Sequence, residues 1–319
     1  MPLSSFIREE ASRLGFAAVG FAAVGPCRTF DRFQNWLSRG YAADMTYLSK
    51  YAFRRADPRQ IMPEARSIVV VAARYPSDLT LSPFSNYCRG CDYHTILREK
   101  LKQLARSLEA QSSVPLRARI CVDSSPVLER EWAVRAGLGW IGKQGSLVNP
   151  EWGCTLFLGE LLVNLELAPS LPVPNRCGNC RRCVEACPTG AIQPDGLVDA
   201  RRCIAYLTIE HQGEIPEELR PLMGASLFGC DRCTAVCPFN RIGDDAILSD
   251  FSCLCRSASG GNPADTPMPT VEQCLALDEA GFQQRFMGTA IYRSGLARLK
   301  RNATVALANH RGCMKTVGS

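Results

Sequence analysis

The 319-residue chain has no apolar run near the roughly 20 residues that a membrane-spanning helix needs, so its length pattern excludes one. The opening segment, MPLSSFIREEASRLGF, has no leader-like apolar block. Arg8, Glu9 and Glu10 interrupt it, so it reads as an amphipathic helix and not as a signal peptide. No internal repeat is visible. From Ala280 onward there is no Asp or Glu, while Arg285, Arg293, Arg298, Lys300, Arg301, Arg311 and Lys315 all lie there. The net charge of +6 therefore sits in the last segment. That asymmetry reads either as a phosphate-facing surface or as a solvated helix face.

Cysteine, by contrast, is plentiful, with seventeen residues. Eight fall between positions 177 and 237, as Cys177-x2-Cys180-x2-Cys183-x3-Cys187-Pro188, then Cys203, then Cys230-x2-Cys233-x3-Cys237-Pro238. The first run is the bacterial ferredoxin pattern, in which the fourth Cys serves the other cluster of a pair. A tight loop wraps three thiolates round one corner of a cubane, and the Cys-Pro turn sends the chain to the second. By that logic Cys177, Cys180, Cys183 and Cys237 hold one [4Fe–4S] cluster, and Cys187, Cys203, Cys230 and Cys233 hold the other. The second half is irregular, because an insertion separates Cys203 from Cys230. Zinc also uses four-cysteine sites with C-x2-C pairs, although zinc ribbons rarely carry this run. A disulfide framework does not suit the spacing, and the abundance of thiols points to a reducing cytoplasm. Cys253, Cys255, Cys274 and Cys313 show no partner pattern and read as ordinary buried or surface thiols.

Hydrophobic residues make up 46% of the chain, enough for a globular core. Three segments are predicted. Residues 1–170 form an α/β (or α+β) domain. Helical spacing covers Ile7–Leu14 and Phe30–Leu37, and a β-branched central strand begins at Ser67. An apolar stripe of Ile96, Leu97, Leu101, Leu104 and Leu108 marks a helix over 93–108. A strand follows over 116–122, then a helix from Pro126 to Arg135 with Pro in its first turn, and a strand over 155–164. Residues 171–250 are the cluster module, entered through Leu171-Pro-Val-Pro-Asn. Residues 251–319 start loop-rich, over 257–270, and become helical. Gly137-Leu-Gly139-Trp-Ile-Gly142 matches the dinucleotide fingerprint, but that motif must follow a strand and open a helix. Here it follows a helix and leads into a strand near Ser146–Val148, which argues against a nucleotide loop. Its glycines instead permit a close backbone approach.

Several stretches carry a family resemblance. Arg89-Gly-Cys-Asp-Tyr-His94, Val122-Asp-Ser-Ser-Pro-Val-Leu-Glu-Arg130, Gly137-Leu-Gly-Trp-Ile-Gly-Lys143, Cys203-Ile-Ala-Tyr-Leu-Thr-Ile-Glu210, Gly229-Cys-Asp-Arg-Cys233 and Gly288-Thr-Ala-Ile-Tyr-Arg293 closely resemble the epoxyqueuosine reductases, over about residues 5–310. The resemblance implies a cobalamin-binding α/β domain, a two-[4Fe–4S] ferredoxin-like domain, and a short α-helical HEAT-like C-terminal region. It implies reduction of epoxyqueuosine to queuosine at the wobble position of tRNA anticodons, with a low-potential external electron donor, no membrane, and a monomer. By the same resemblance, Arg55, Asp123, Trp140, Lys143, Gln144, Gly145, Ser146, Leu147, Leu158, Ala205 and Asp231 contact the corrinoid. Gln144 stands where the family usually has Asn, and Gly153-Cys154 where it has Gly-Ser. The chain stops soon after His310, where many relatives continue.

Removing an epoxide oxygen needs two electrons and protons. Asp123, at a strand end, is the acid that the resemblance favours, with its carboxyl raised by a closed apolar site. Its plain reading is a cap for the helix from Pro126. His94 could ligate cobalt, but a histidine-ligated corrinoid usually carries D-x-H-x-x-G, and Asp92-Tyr-His94 is followed by Thr95-Ile96-Leu97. Base-off cobalamin is therefore expected, with His94 opening the helix at 93. Cys88 or Cys91 could supply a thiol near the corrinoid. Arg298, Lys300 and Arg301 are the expected contacts to tRNA phosphates. Two other readings remain: a corrinoid and iron–sulfur reductase of a small molecule, similar to reductive dehalogenases, and a non-catalytic electron-transfer protein.

Overall fold

The computed structural model describes residues 2–77, 79–240 and 267–317, with 312–317 described as backbone only. Most of the 257–270 loop lies outside the described residues, as do Cys253, Cys255, the boundary near 250, and the side chains of Cys313 and Lys315.

The first 170 residues build a sheet covered on both faces. The helices are α1 (Leu3–Arg13), α2 (Phe30–Ser38), α3 (Thr46–Lys50), α4 (Ala52–Ala56), α5 (Tyr93–Gln111) and α6 (Glu129–Arg135). The strands are β1 (Ala18–Ala23), β2 (Ser67–Arg74), β3 (Ala118–Cys121), a small hairpin of β4 (Trp140–Ile141) and β5 (Leu147–Val148), and β6 (Leu156–Val163). The main sheet has the order β1-β2-β6-β3, and every pairing in it is antiparallel. The domain is therefore α+β and not doubly wound. Strand β2 is interior and buried at all eight positions, as its β-branched run requires. Val69, Val71 and Leu161 face α1 and α5 on one side. Ile68, Val70, Ala72 and Leu162 face Trp132 and Ala133 of α6 on the other. The leucine stripe of α5 is buried as the spacing predicts, and Asp92 caps this helix by accepting from the His94 N–H at 3.1 Å.

Helix α6 corrects an expectation. It starts at Glu129, and Pro126 lies in the loop before it. Backbone bonds from Ser124 N to Val122 O and from Val127 N to Ser125 O turn that loop tightly, so the helix cannot begin earlier. Asp123 is not its cap, since the N-cap position is Leu128.

The cluster module carries α7 (Arg182–Glu185), α8 (Ile204–Ile209), α9 (Arg220–Met223) and α10 (Arg232–Ala235). The C-terminal segment carries α11 (Val271–Ala276), α12 (Glu279–Phe286) and α13 (Leu296–Val317). This segment is not a detached tail. Phe282, Phe286, Ile291 and Leu299 share one core with Phe84, Leu227 and Phe228.

Two of the three expected phosphate contacts are committed within this join. Arg301 directs Nη1 at His211 O and Gly213 O (2.8 and 2.6 Å) and Nη2 at Leu207 O (2.6 Å). Its Nε and Nη2 also reach Asn302 Oδ1 at 3.1 and 2.9 Å. Five contacts engage all five guanidinium donors. Arg298 donates to Ile209 O, and buried Asn302 donates to Thr208 O (2.9 Å) and Leu227 O (2.8 Å). The carbonyls of Leu207, Thr208 and Ile209 end helix α8, where the last turn leaves acceptors without intrahelical partners. Sequence charge alone could not separate an anchoring cation from a phosphate-facing one. Lys300, half-buried, is the member of the trio whose side chain makes no such bond among the described residues. Arg301→Ala is expected to lose about 2 kcal/mol or more, read as a fall in Tm of about 5 °C for the anaerobic protein. An unchanged Tm would show that α13 is held by its apolar face alone.

Candidate active site and cluster module

Asp123 follows β3 directly and has φ of +50°, a left-handed conformation that a non-glycine residue adopts only when held there. Two groups hold it. His94 Nε2 lies 2.9 Å from Asp123 Oδ2, and the Asp123 N–H donates to Glu129 Oε1. His94 is buried, and its Nδ1 lies 2.6 Å from Asp92 Oδ1. Both ring nitrogens therefore face carboxylates. Tyr93 stacks on Phe157 at 4.2 Å and on the His94 ring at 4.0 Å, fixing its plane. Arg293 Nη1 approaches the same ring, 2.9 and 2.8 Å from its nitrogens.

The electrostatics redistribute the expected acid. Burial pushes Asp123 up, but its hydrogen bond and attraction to His94, aided by Arg293 and Arg130, outweigh this and hold it below the ordinary carboxylate value. Burial works against the His94 cation, yet the bonds to Asp123 and Asp92 raise it. Glu129 moves the other way. Loss of hydration, then the Asp123 charge, push its carboxyl up to about 7. The raised carboxyl expected at Asp123 is thus found at its neighbour. Asp123 itself keeps 53% of its side chain exposed, presented outward.

The residues expected around a corrinoid divide into two groups. Arg55, at the end of α4, is buried, and its Nη1 has no partner among the described residues. Burial lowers its pKa, and Tyr47 and Glu129 oppose that. Gln144 is also buried, with Nε2 unpartnered. Each is a buried donor left unsatisfied, which fits a polar group from outside the chain. Leu158 lies on β6, Leu147 on β5, Ser146 and Gly145 in the turn before it, and Ala205 on α8.

Trp140, Lys143 and Asp231 are engaged elsewhere. The Trp140 indole donates to Cys177 Sγ at 3.3 Å, and Lys143 Nζ grips Gly178 O and Cys180 O at 2.8 and 2.7 Å. Both thus hold the first cysteine loop. Asp231 accepts from Ser85 Oγ, from Asn86 N at 2.7 Å and from Asn86 Nδ2 at 3.0 Å. It therefore clamps the 84–88 loop to the module. The motif glycines serve the chain's own backbone. A Cβ at Gly139 would lie 2.1 Å from Val148 O, and one at Gly137 2.3 Å from Leu171 O.

The eight cysteines lie together in the module. Helices α7 and α10, each starting inside a cysteine run, pack on one another. Burial raises Cys203, Cys230 and Cys233, and the charges of Cys187, Cys203 and Cys230 add to this. Cys183 has Cys177 and Cys180 as neighbours. Cys177 and Cys237 both pack around Trp140 and Cys154. Among the described residues no three His, Cys, Asp or Glu are gathered to grip a single metal ion. Buried Cys154 bonds to Cys237 and, with burial opposing, brings that thiol down to about 6. Cys88 and Cys91 are buried in apolar clusters, Cys88 donating to Ser85 O at 3.0 Å, and Cys274 is buried as well.

Sequence reasoning quoted Asp92, Glu129 and Arg293 inside motifs without assigning them a role, and it passed over Glu160. A lone acid in Leu-Phe-Leu-Gly-Glu-Leu-Leu-Val was the available sign.

Residues 55–124 match the family described as "Epoxyqueuosine reductase QueG, DUF1730", and residues 176–240 match "4Fe-4S double cluster binding domain". Epoxyqueuosine reductase of Escherichia coli (strain K12) is 39% identical over 317 residues, covering 96% of this chain and 81% of that protein. The solved epoxyqueuosine reductase from Streptococcus thermophilus is similar with a TM-score of 0.84 at 29% identity, over 97% of this chain and 82% of that one. An epoxyqueuosine reductase solved with an epoxyqueuosine-modified tRNA-Tyr stem loop gives 0.83 at 31% identity, over 96% and 81%.

Replacing Trp140 with Phe removes a donor to a cysteine sulfur. Hydrogen bonds to ligand sulfurs favour the more negative, reduced cluster. The reduction potential of the first cluster is therefore expected to fall by tens of millivolts, about 59 mV for each tenfold change in a one-electron equilibrium. A spectroscopically monitored redox titration reads it, and an unmoved potential would reduce the Trp140 contact to packing.

Proposed function

The chain belongs to the epoxyqueuosine reductase family, and we propose that it reduces epoxyqueuosine to queuosine at the wobble position of tRNA, with cobalamin and two [4Fe–4S] clusters as its groups. The observation that carries this reading is Asp123 at φ +50°, held out into the site by His94 on one side and Glu129 on the other. A relative from Bacillus subtilis was solved with its catalytic aspartate loop swung out of the active site, and the loop at 123 here is bonded in.

When bound, the clusters and the corrinoid supply the electrons and the cobalt chemistry that opens the epoxide. Cys177, Cys180, Cys183 and Cys237 would hold one cluster, and Cys187, Cys203, Cys230 and Cys233 the other. Arg55 and Gln144 would meet polar groups of the corrinoid, because Arg55 Nη1 and Gln144 Nε2 are buried with no partner among the described residues. Among the described residues no helix is long and apolar enough to cross a membrane.

The protein's own contribution is protonation. The departing oxygen develops negative charge and needs a proton within hydrogen-bond reach. Asp123 is the group presented to it. Because its carboxyl is held low while His94 is held high, the proton resides mainly on His94 and passes through Asp123 as oxygen leaves. Asp92 keeps the ring oriented, as a carboxylate does behind many catalytic imidazoles. Substrate RNA has a second feature to meet. Tyr47 and Phe53 are exposed, at 45% and 57%, with Lys50 and Arg54 over the Tyr51 ring at 5.4 and 5.3 Å. Exposed aromatics among cations suit unstacked bases and their phosphates.

Asp123→Asn is expected to bind cobalamin as the parent does, since it keeps shape, and to lose on the order of 10²–10⁴-fold in turnover of epoxyqueuosine-tRNA. Corrinoid absorbance measures the first and single-turnover assays the second. Near-parental turnover would remove Asp123 from the chemistry, and absence of corrinoid binding in the parent would favour a plain electron-transfer protein.

A further inference from the structure

Cys27, Cys88, Cys91, Cys121 and Cys274 are buried in the apolar cores of the sheet and of the C-terminal join. Cys154 is also buried but is placed differently. It lies in a small core with Trp140 and Val148, against Cys177 and Cys237 of the first cluster set. Its thiol hydrogen-bonds to Cys237. Three further bonds hold it there. The Cys154 N–H donates to Asn240 Oδ1 at 2.7 Å, Asn240 Nδ2 donates to Thr234 O at 2.6 Å, and the Asn240 N–H donates to Cys237 O at 3.1 Å. Gly153 permits the close approach, since its φ is +72° and a Cβ there would lie 2.2 Å from Asn240 Oδ1. The segment after β5 is thus locked to the turn that carries Cys237.

The S–H proton of Cys154 has two acceptors in reach, Asn240 Oδ1 at 3.2 Å and the Cys237 sulfur. Asn240 Oδ1 already accepts a backbone N–H, a better donor than a thiol. A ligand sulfur of a cluster is negative, and charge strengthens a hydrogen bond. An added electron makes that sulfur more negative still. The S–H bond therefore favours the reduced cluster over the oxidised one and raises its potential. The two sets differ in such donors. The first takes two from side chains, Trp140 on Cys177 and Cys154 on Cys237, besides the backbone N–H groups of Val184, Phe239 and Asn240. The second takes backbone N–H groups of Ala191, Ala205, Tyr206 and Arg232. Among the described side chains only Thr189 Oγ1 joins them, 3.5 Å from Cys187 Sγ. Exposure acts in the same direction. Gly178, Asn179 and Arg182 of the first loop are exposed, whereas Ile204 after Cys203 and Phe228 and Gly229 before Cys230 are buried. Poor hydration disfavours the added charge, so the second set is the harder to reduce.

We propose that Cys154 is a positioning residue that tunes the first cluster: its S–H bond to Cys237 makes that cluster the higher-potential member of the pair, the one on which an incoming electron rests. The inference rests on the two-cluster part of the functional reading. The step is reduction of the first cluster by one electron from an external donor of low potential. No bond breaks and no proton leaves, because Cys154 keeps its proton in both states.

A potentiometric titration of the anaerobic full-length holoprotein, followed by electron paramagnetic resonance, reads both midpoints. In Cys154→Ala the higher midpoint is expected to fall by about threefold to tenfold in the one-electron equilibrium, about 30–60 mV at about 59 mV per tenfold. The lower midpoint is expected to stay. Cys154→Ser keeps a donor and is expected to remain within about twofold of the parent. Iron should stay at about eight per chain in all three proteins. Unmoved midpoints in Cys154→Ala, or a shift of the lower midpoint alone, would overturn the proposal. So would loss of about four irons from a folded Cys154→Ala, because Cys154 would then be a ligand itself. Infrared difference spectra, reduced minus oxidised, give a second reading on the parent. An S–H stretch is expected to move to lower frequency on reduction, and Cys154→Ser should lack that change. A parent spectrum without it would overturn the tuning even if Cys154→Ala fails to fold. A reconstituted parent with well under eight irons would overturn the two-cluster reading and the tuning with it, whereas full iron with unmoved midpoints would overturn the tuning alone.

Discussion

The site depends on one constraint: Asp123 is kept in a left-handed conformation at the end of β3. For a residue with a Cβ this costs of order 1–3 kcal/mol, and it persists only where the surroundings over-determine it. Here the His94 ring takes the side chain and Glu129 takes the backbone N–H. A hydrogen bond with a charged partner contributes about 1.5–3 kcal/mol and a neutral one about 0.5–1.5 kcal/mol, together enough to offset the strain. Release of either bond lets the loop relax and frees the carboxyl to move. Each holder is itself held. Asp92 and Tyr93 fix His94 from the first turn of α5, and Glu129 stands on the first residue of α6. The two helices pack on opposite faces of one sheet, so the sheet sets the distance between them.

A reductase of this kind must also fix its electron-carrying module against its substrate domain, since electron transfer tolerates little drift. Three polar joins do this. Lys143 and Trp140 grip the Cys177–Cys180 loop, Asp231 clamps the 84–88 loop, and Arg301 with Asn302 ties the C-terminal helix to the end of α8. An apolar core shared by Phe84, Phe228 and Phe282 backs the second and third. The third join uses backbone carbonyls at the end of the six-residue helix α8, which the helix cannot satisfy internally.

Much of this was legible in the sequence. The cysteine run named the module, the β-branched run at 67–73 named the interior strand, and the leucine stripe of α5 is buried at every expected position. What the sequence could not show was where long polar side chains end. Arg301 and an RNA-facing arginine look alike as letters, and only the carbonyls of Leu207, His211 and Gly213 distinguish them. Lys143 and Trp140 lie in a motif shared with relatives, but their direction of reach depends on how the β4–β5 hairpin faces the 177–180 loop. The start of α6 was misplaced because Pro at a first turn is a statistical preference, and the tight bonds at 122–127 override it.

The misreading of Asp123 is the most instructive, because the reasoning behind it was sound in kind. A carboxyl in an enclosed site does rise, and one here rises to about 7. The sequence placed the effect on the wrong residue. Two carboxyls six residues apart compete for the same cation, and the one within 2.9 Å of His94 wins it. The loser is left against a negative charge in poorly hydrated surroundings and takes up a proton. Acid and base assignments in such a pair follow from which member touches the imidazole. A single hydrogen bond therefore divides the pair: the Asp123 carboxyl is held below the ordinary carboxylate value and the Glu129 carboxyl above it.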